Sequence, residues 1–292
     1  MTGWRIGIIG GSGLYAIDGL ENPVWQSVTS PWGQPSDAVL TGQLFGVDVA
    51  FLPRHGRGHV VPPHRLNVRA NIDVLKRLGC TDVLAVSAVG SLNAAMAPGD
   101  FAIVGQFIDR TRARPATFFE TGMVAHVPMA DPVCPRLSAL AADAARAAGV
   151  RLHGPATYLA MEGPQFSTRA ESRLYQSWGC DVIGMTAMPE AKLAREAELP
   201  YALLAMITDF DCWHDGGDVD VAQIMQVMHA NAALARAAIA ALCQNLPAQR
   251  PASPIDTVLD MALITDPTRF GADMLMQNAA ILARRLGPAN GN

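Results

Sequence analysis

Residues 6–15, IGIIGGSGLY, join a short apolar run to a turn built from glycines and a serine, and the segment C-terminal to that turn limits the fold more than the motif does. Ile6–Ile9 read as a buried strand, and Gly10, Gly11 and Gly13 let the chain turn sharply while offering backbone N–H groups to an anion. A dinucleotide-binding unit would continue with a helix of ten or more residues and then a second strand bearing an acidic residue. Residues 16–37, AIDGLENPVWQSVTSPWGQPSD, instead hold three prolines and two glycines without a 3.6-residue apolar period, so that helix cannot form. Two readings remain: a turn that cradles a single phosphate or sulfate with help from the Ser12 hydroxyl, or a turn that merely redirects the chain.

Strand-like apolar runs recur at 5–9, 38–43, 47–52, 82–88, 101–107, 156–161, 181–185 and 201–207. Between them lie helix-like stretches. Val68, Ile72, Leu75 and Leu78 are helically spaced and end at Gly79, a C-terminal signal. Residues 135–149, 167–179 and 188–199 share the same pattern, with long helices expected near 219–245 and 268–286. The alternation predicts a single α/β domain with a mixed, largely parallel central sheet flanked by helices. PAQRPASP, residues 247–254, reads as a linker. It divides a main domain, 1–246, from C-terminal helices in 247–292 that are too short for their own core and must pack on that domain.

Half the residues are hydrophobic and 16% are charged, which supplies a sizeable core and excludes disorder. No apolar stretch is long enough to span a bilayer. MTGWRIGIIGG enters a strand without the features of a leader peptide, so a cytoplasmic protein is expected. The five cysteines, 80, 134, 180, 212 and 243, are odd in number and widely spaced, which suits neither a disulfide framework nor a zinc site. The net charge of −4 argues against a nucleic-acid surface. One island departs from it: residues 54–69, RHGRGHVVPPHRLNVR, carry four arginines, three of the seven histidines and no acidic residue, and read as the place where a small anion is held.

Sites in open α/β sheets form at the C-terminal ends of strands. Three such ends favour an anion: the turn with Ser12; Arg54, a planar fork of donors matched to phosphate, with His55 beside it; and Ser87 with the Ala88 N–H in VSAVGS. Together they predict one phosphate site. A fourth end, AMITDFDCW (205–213), places Asp209 and Asp211 on one face if the strand persists. Adjacent like charges push one pKa up, so one carboxyl donates while the other accepts. That pattern complements adenine, whose N7 needs a proton and whose 6-amino group needs an acceptor. A solvated strand-end pair is the plain alternative, and a metal site lacks further ligands nearby. Phe166 and Ser167 precede a helix whose start, Ser167 or Thr168 with Glu171, resembles a capping box. Met185 and Thr186 end the strand at 181–185, where packing is the ordinary role for such residues.

Taken in order, IIGGSG, PRHGRGH, SAVGSL, AMAPGDFAIVGQFIDRT, HVPMADP, MEGPQFSTRAES, GMTAMPEAKLAREA and TDFDCW resemble the 5'-methylthioadenosine phosphorylases, a group in the trimeric branch of the purine nucleoside phosphorylase family. Residues past about 245 fall outside the resemblance. It implies one α/β domain, a homotrimer with active sites near subunit interfaces, phosphate as co-substrate, no metal or organic cofactor, and a place in purine and methionine salvage. It also implies roles. Ser12, Arg54, His55, Ser87, Ala88 and Thr186 would hold phosphate. Met185 would contact ribose, and Phe166 and Ser167 the base. His126 would enter a neighbouring subunit's alkylthio pocket, with Val221 and Ile224 as apolar lining. Asp209 would protonate N7 and Asp211 would hold the 6-amino group, releasing adenine and 5-methylthioribose 1-phosphate. A preference for methylthioinosine, or a broader range including adenosine, 5'-deoxyadenosine and inosine, is the nearest alternative. A catalytically silent nucleoside-binding protein is the alternative of another class.

Overall fold

In the computed structural model, residues 3–11, 13–214 and 221–287 are described. The strand of the opening motif, β1 (Arg5–Gly10), lies inside a nine-stranded sheet with β2 (Glu21–Gln26), β3 (Val39–Leu44), β4 (Val47–Pro53), β5 (Asp82–Ser91), β6 (Phe101–Asp109), β7 (Leu152–Ala160), β8 (Val182–Gly184) and β9 (Tyr201–Phe210). The order is β2-β3-β4-β1-β5-β8-β7-β6-β9, and β9 also pairs with β5, so the last five strands close into a ring. β1 pairs in parallel with β4 and β5, as do β5 with β9, β6 with β7, and β7 with β8. The pairs β2–β3, β3–β4, β5–β8 and β6–β9 are antiparallel, so the sheet is mixed as expected. β1 is buried along nearly its whole length, as a central strand covered on both faces must be.

The helices are α1 (Val68–Arg77), α2 (Pro135–Ala147), α3 (Arg169–Ser177), α4 (Ala187–Glu196), α5 (Val221–Asn245), α6 (Leu259–Ala262), α7 (Ala272–Gln277) and α8 (Ala279–Leu286). Ile72 and Leu75 of α1 join Leu193 of α4 and Ile281 and Leu282 of α8 in one core layer. Leu137 and Ala141 of α2 join Ala235, Ile239 and Leu242 of α5 in the other. Asn67 caps α1 by accepting from the Ala70 N–H, and Gly79 succeeds its end at φ 75°, a left-handed conformation that glycine adopts without penalty. Among the described residues no helix is long and apolar enough to cross a membrane.

Two stretches differ from expectation. β2 falls in the proline- and glycine-rich segment in which no strand-like run is expected; all six of its residues are exposed, and the register shift between Glu21 and Val24 accommodates Pro23. An edge strand needs no buried face and tolerates proline at an irregularity, so no alternation marks it. The helix expected at 268–286 is divided into a 3₁₀ turn at Pro267–Arg269, α7 and α8. The breaks fall at extended Gly271 and at Asn278, whose fully buried amide donates to the Phe118 carbonyl. Residues 247–254, read as the linker to the C-terminal helices, are held against the main domain. Trp4 Nε1 donates to the Pro247 carbonyl, and Arg250 is ion-paired with Asp82 and Asp256.

Candidate active site

The C-terminal ends of β1, β4, β5, β8 and β9 open into one cleft of about 760 Å³, enough for a nucleoside with an anion beside it. One side is closed by α5 through Ile224, Met225, Met228, His229 and Arg236.

Asp209 and Asp211 line the cleft together. Pairing between β5 and β9 runs Val89 to Ile207 and then Gly90 to Asp209, leaving Thr208 as the extra residue of a bulge. Such a bulge re-aims the side chain next in the strand. A Cβ on Gly90 would lie 3.1 Å from Asp209 Oδ2 and 3.5 Å from the Asp211 Cβ, so glycine leaves room for the pair. The Thr208 hydroxyl donates to Asp209 Oδ1 at 2.7 Å, with the Val89 carbonyl also 3.2 Å away, and the Ser167 hydroxyl donates to Asp211 Oδ2 at 2.6 Å. Each carboxyl thus has one oxygen held, while Asp209 Oδ2 and Asp211 Oδ1 have no hydrogen-bond partner among the described residues. Burial raises the pKa of Asp209 to about 6, against the opposing pull of the Thr208 bond; repulsion from Asp211 adds a smaller push. The cause expected from the sequence, mutual repulsion, is therefore the lesser one. The capping box of α3 uses Thr168 with Glu171, which frees Ser167 for Asp211.

At the other group of turns the arginine is arranged differently from expectation. Arg54 is 2% exposed, and its fork is engaged: Nε and Nη2 donate to the two oxygens of Glu190 at 3.0 Å each, Nη1 to the Val86 carbonyl and Nη2 to that of Ile9. Glu190, itself buried, also accepts from the Tyr201 hydroxyl. What Arg54 retains toward the cleft is the edge of its guanidinium, because its bidentate face is committed to Glu190. His55 Nδ1 lies 2.9 Å from the Val61 carbonyl, which can only accept, so that nitrogen carries the proton. Burial pushes the His55 pKa down to about 4. The ring is neutral near pH 7, and Nε2 is an acceptor where the sequence suggests a further donor. His55 stacks on His59 with centroids 4.3 Å apart. The Ser87 and Thr186 hydroxyls are 3.2 Å apart, and Ala88 lines the cleft with them. A Cβ on Gly184 would fall 2.0 Å from the Tyr158 hydroxyl, so glycine there lets that hydroxyl accept the Thr186 N–H.

The basic island is not one collective site. Arg57 is paired with Asp37 and Arg69 with Glu120, partners that lie outside the island, and Arg65 is exposed. Met185 packs against Gly163 and lines the cleft, as do Phe166 and Ile224. Ser167 reaches the site through Asp211. Val221 and His126 do not line the cleft of this chain: Val221 is 59% exposed, and His126 lies on the surface. The strip that carries His126 is fastened to the C-terminal segment, with the His126 N–H 2.9 Å from the Ala262 carbonyl and the Ile264 N–H 2.9 Å from that of Val124. Ser12 lies outside the described residues.

Four residues that the sequence motifs do not single out belong to this region: Glu190, Thr208, His59 and Arg236. Two carry a signal. Glu190 is an acidic residue in a helix buried on nearly every side, which demands a partner. Arg236 is the one charged residue in the 25 of α5. Among the described residues no cluster of three or more His, Cys, Asp or Glu side chains could hold a metal ion.

The phosphorylase superfamily model matches residues 5–244. The S-methyl-5'-thioadenosine phosphorylase of Cereibacter sphaeroides is 58% identical over 284 residues, covering 96% of this chain and 98% of that one. The enzyme of the same name from Rhodospirillum rubrum is 52% identical, covering 97% of each. Among solved structures, a methylthioadenosine phosphorylase from an antarctic soil metagenomic library superposes with a TM-score of 0.92 at 45% identity, over 97% of this chain and 100% of that one. The Schistosoma mansoni methylthioadenosine phosphorylase in complex with adenine gives 0.78 at 37% identity, over 82% and 90%.

Proposed function

The chain belongs to the phosphorylase superfamily, among its S-methyl-5'-thioadenosine phosphorylases, and from that membership we propose how its residues divide the work. The reaction is phosphorolysis of S-methyl-5'-thioadenosine to adenine and S-methyl-5-thio-α-D-ribose 1-phosphate, a pentosyl transfer. Breaking the N-glycosidic bond builds positive charge on the ribose and negative charge on the departing base, so the site must serve both.

The base is taken at Asp209 and Asp211. Asp209, with a pKa of about 6, is poised close to neutral pH to give its proton to N7 and make adenine a better leaving group. Asp211, held at one oxygen by Ser167, accepts the 6-amino group at the other. A 6-oxo base would turn a lone pair toward that carboxylate and leave buried groups unpaired, which discriminates strongly. Phosphate is held by Ser87, the Ala88 N–H, Thr186, the free edge of Arg54 and the Ser12 turn. His55 accepts the hydrogen of a protonated phosphate oxygen. An anion placed there is both the nucleophile and the counter-charge for the forming cation. Met185 and Phe166 pack on ribose and base, and Ile224 on the alkylthio end.

We further read the molecule as a cytoplasmic homotrimer of purine and methionine salvage, in which His126 of one subunit reaches the alkylthio pocket of the next and no cofactor is used. Residues 1–246 form the phosphorylase domain and 247–292 an extension packed upon it. The observation that carries the reading is the pair of carboxyls over Gly90, each with one oxygen fixed and one open. Base release from methylthioadenosine, methylthioinosine, adenosine and inosine, each with and without phosphate, tests it. Rapid phosphate-dependent adenine release from the first is expected, and a preference for methylthioinosine would overturn the role given to Asp211.

A further inference from the structure

A phosphate site needs positive charge, and the two basic residues at its expected position supply little of it. Arg54 is neutralised by Glu190 through two hydrogen bonds. His55 spends its ring proton on the Val61 carbonyl. The cleft has another cation. Arg236 on α5 lines it together with Gly11, Gly13, Arg54, Ser87 and Thr186. It is partly buried, its Nη1 donates to the Gly13 carbonyl at 2.9 Å, and no carboxylate among the described residues pairs with it. A guanidinium has five N–H donors, so most of this one is uncommitted.

We infer that Arg236 is a phosphate-binding residue: it carries the formal positive charge of the anion site and fixes the glycine turn by holding the Gly13 carbonyl away from the anion. The two effects act together. A backbone carbonyl aimed at phosphate would repel it, whereas the Gly13 carbonyl is engaged by a cation. The remaining donors of Arg236 lie on the same side of the cleft as the turn, where they meet phosphate oxygens as charge-assisted hydrogen bonds. α5 therefore serves both ends of the substrate pair, its first turn toward the alkylthio group and its middle toward the anion.

The inference rests on the phosphorolysis proposed above, and the test keeps the two apart. If the wild-type protein releases no adenine in response to phosphate, the proposed reaction fails before any variant is made. If it does, initial rates with each substrate varied separately, for the wild type, Arg236→Lys and Arg236→Gln, address the arginine. Loss of a charged hydrogen bond predicts that Arg236→Gln raises the phosphate KM by about tenfold or more, with the methylthioadenosine KM at saturating phosphate changed by less than about threefold. Arg236→Lys, a point charge without the fork, falls between the two. Arg236→Leu replaces Arg236→Gln if the latter does not fold, since it keeps an apolar stem. A phosphate KM within about twofold of wild type in the folded neutral variant, an equal rise in both KM values, or a lysine variant as impaired as the neutral one would overturn the assignment.

Discussion

Arg54 and Glu190 form a buried pair in which each side chain is about 2% exposed, and separating them by mutation gives a quantitative test of how the anion end is built. Glu190→Leu leaves a buried guanidinium with no counter-charge, a change that costs about 3–5 kcal/mol. Unfolding entropy of about 2.1 cal/mol/K per residue amounts to about 0.6 kcal/mol/K for a chain of this length, so the Tm should fall by about 5–8 °C. Arg54→Met is milder, because Glu190 keeps the Tyr201 hydroxyl as a donor; about 1–3 kcal/mol, or about 2–5 °C, is expected. The double variant buries no charge. It still orphans the Ile9 and Val86 carbonyls and the Tyr201 hydroxyl, whose partners are lost, yet it should melt above Glu190→Leu alone. Thermal unfolding of the four proteins measures this coupling directly. Phosphate saturation provides the second axis: with the free edge of Arg54 gone, the phosphate KM should rise in both variants lacking Arg54, whether or not stability returns. Strict additivity of the two single losses would refute the claim that the charges are mutually dependent.

Asp209→Asn should slow adenine release by about 10²- to 10⁴-fold, and its effect on stability should have the opposite sign. The folded pKa of about 6 lies above the ordinary 3.8, so the contribution of this one carboxyl to wild-type stability is fullest below pH 4, falls as pH rises to about 6 and is level above that. The asparagine variant lacks this loss and still accepts from Thr208; at pH 8 it should exceed the wild type by at most about 3 kcal/mol, and a Tm advantage as large at pH 4 as at pH 8 would contradict the argument. Asp211→Asn should narrow the preference for 6-amino over 6-oxo substrates, read as the ratio of kcat/KM for methylthioadenosine and methylthioinosine; an unchanged ratio would remove Asp211 from base selection. Truncation after residue 246 should prevent folding, since it strips Leu259, Ile281 and Leu282 from the core and leaves buried Glu198 without Arg284. A soluble, fully active truncated protein would show the extension to be dispensable.

The parts of this fold that read directly from the sequence are those whose neighbours in the chain are also their neighbours in space. The helix at Val68–Arg77 carries its own cap, apolar stripe and terminal glycine, and Asp209 and Asp211 are two residues apart. The bulge at Thr208 that turns Asp209 into the cleft arises from pairing with β5, more than a hundred residues away, and no local pattern encodes it. Arg54 is visible as a fork of donors, but its partner Glu190 lies 136 residues further on. The same holds for the basic island, whose arginines are claimed by Asp37 and Glu120 from other segments. β2 leaves no trace because an exposed edge strand has no buried face for its sequence to record.

The ring formed by β5, β8, β7, β6 and β9 has a mechanical consequence. In an open sheet one strand can slip past its neighbour and leave the others unmoved, but around a closed ring the registers must sum to a fixed stagger. A slip between β5 and β9 would have to be absorbed by the remaining pairs, including three-residue β8, which is bonded on both sides. Ser87 and Gly90 on β5, Thr186 after β8 and Asp209 on β9 are all attached to that ring. The spacing between Ser87 and Thr186, proposed to meet the nucleophile, and Asp209, proposed to meet the leaving base, is thus set by topology, as the span of a caliper is set once its screw is locked.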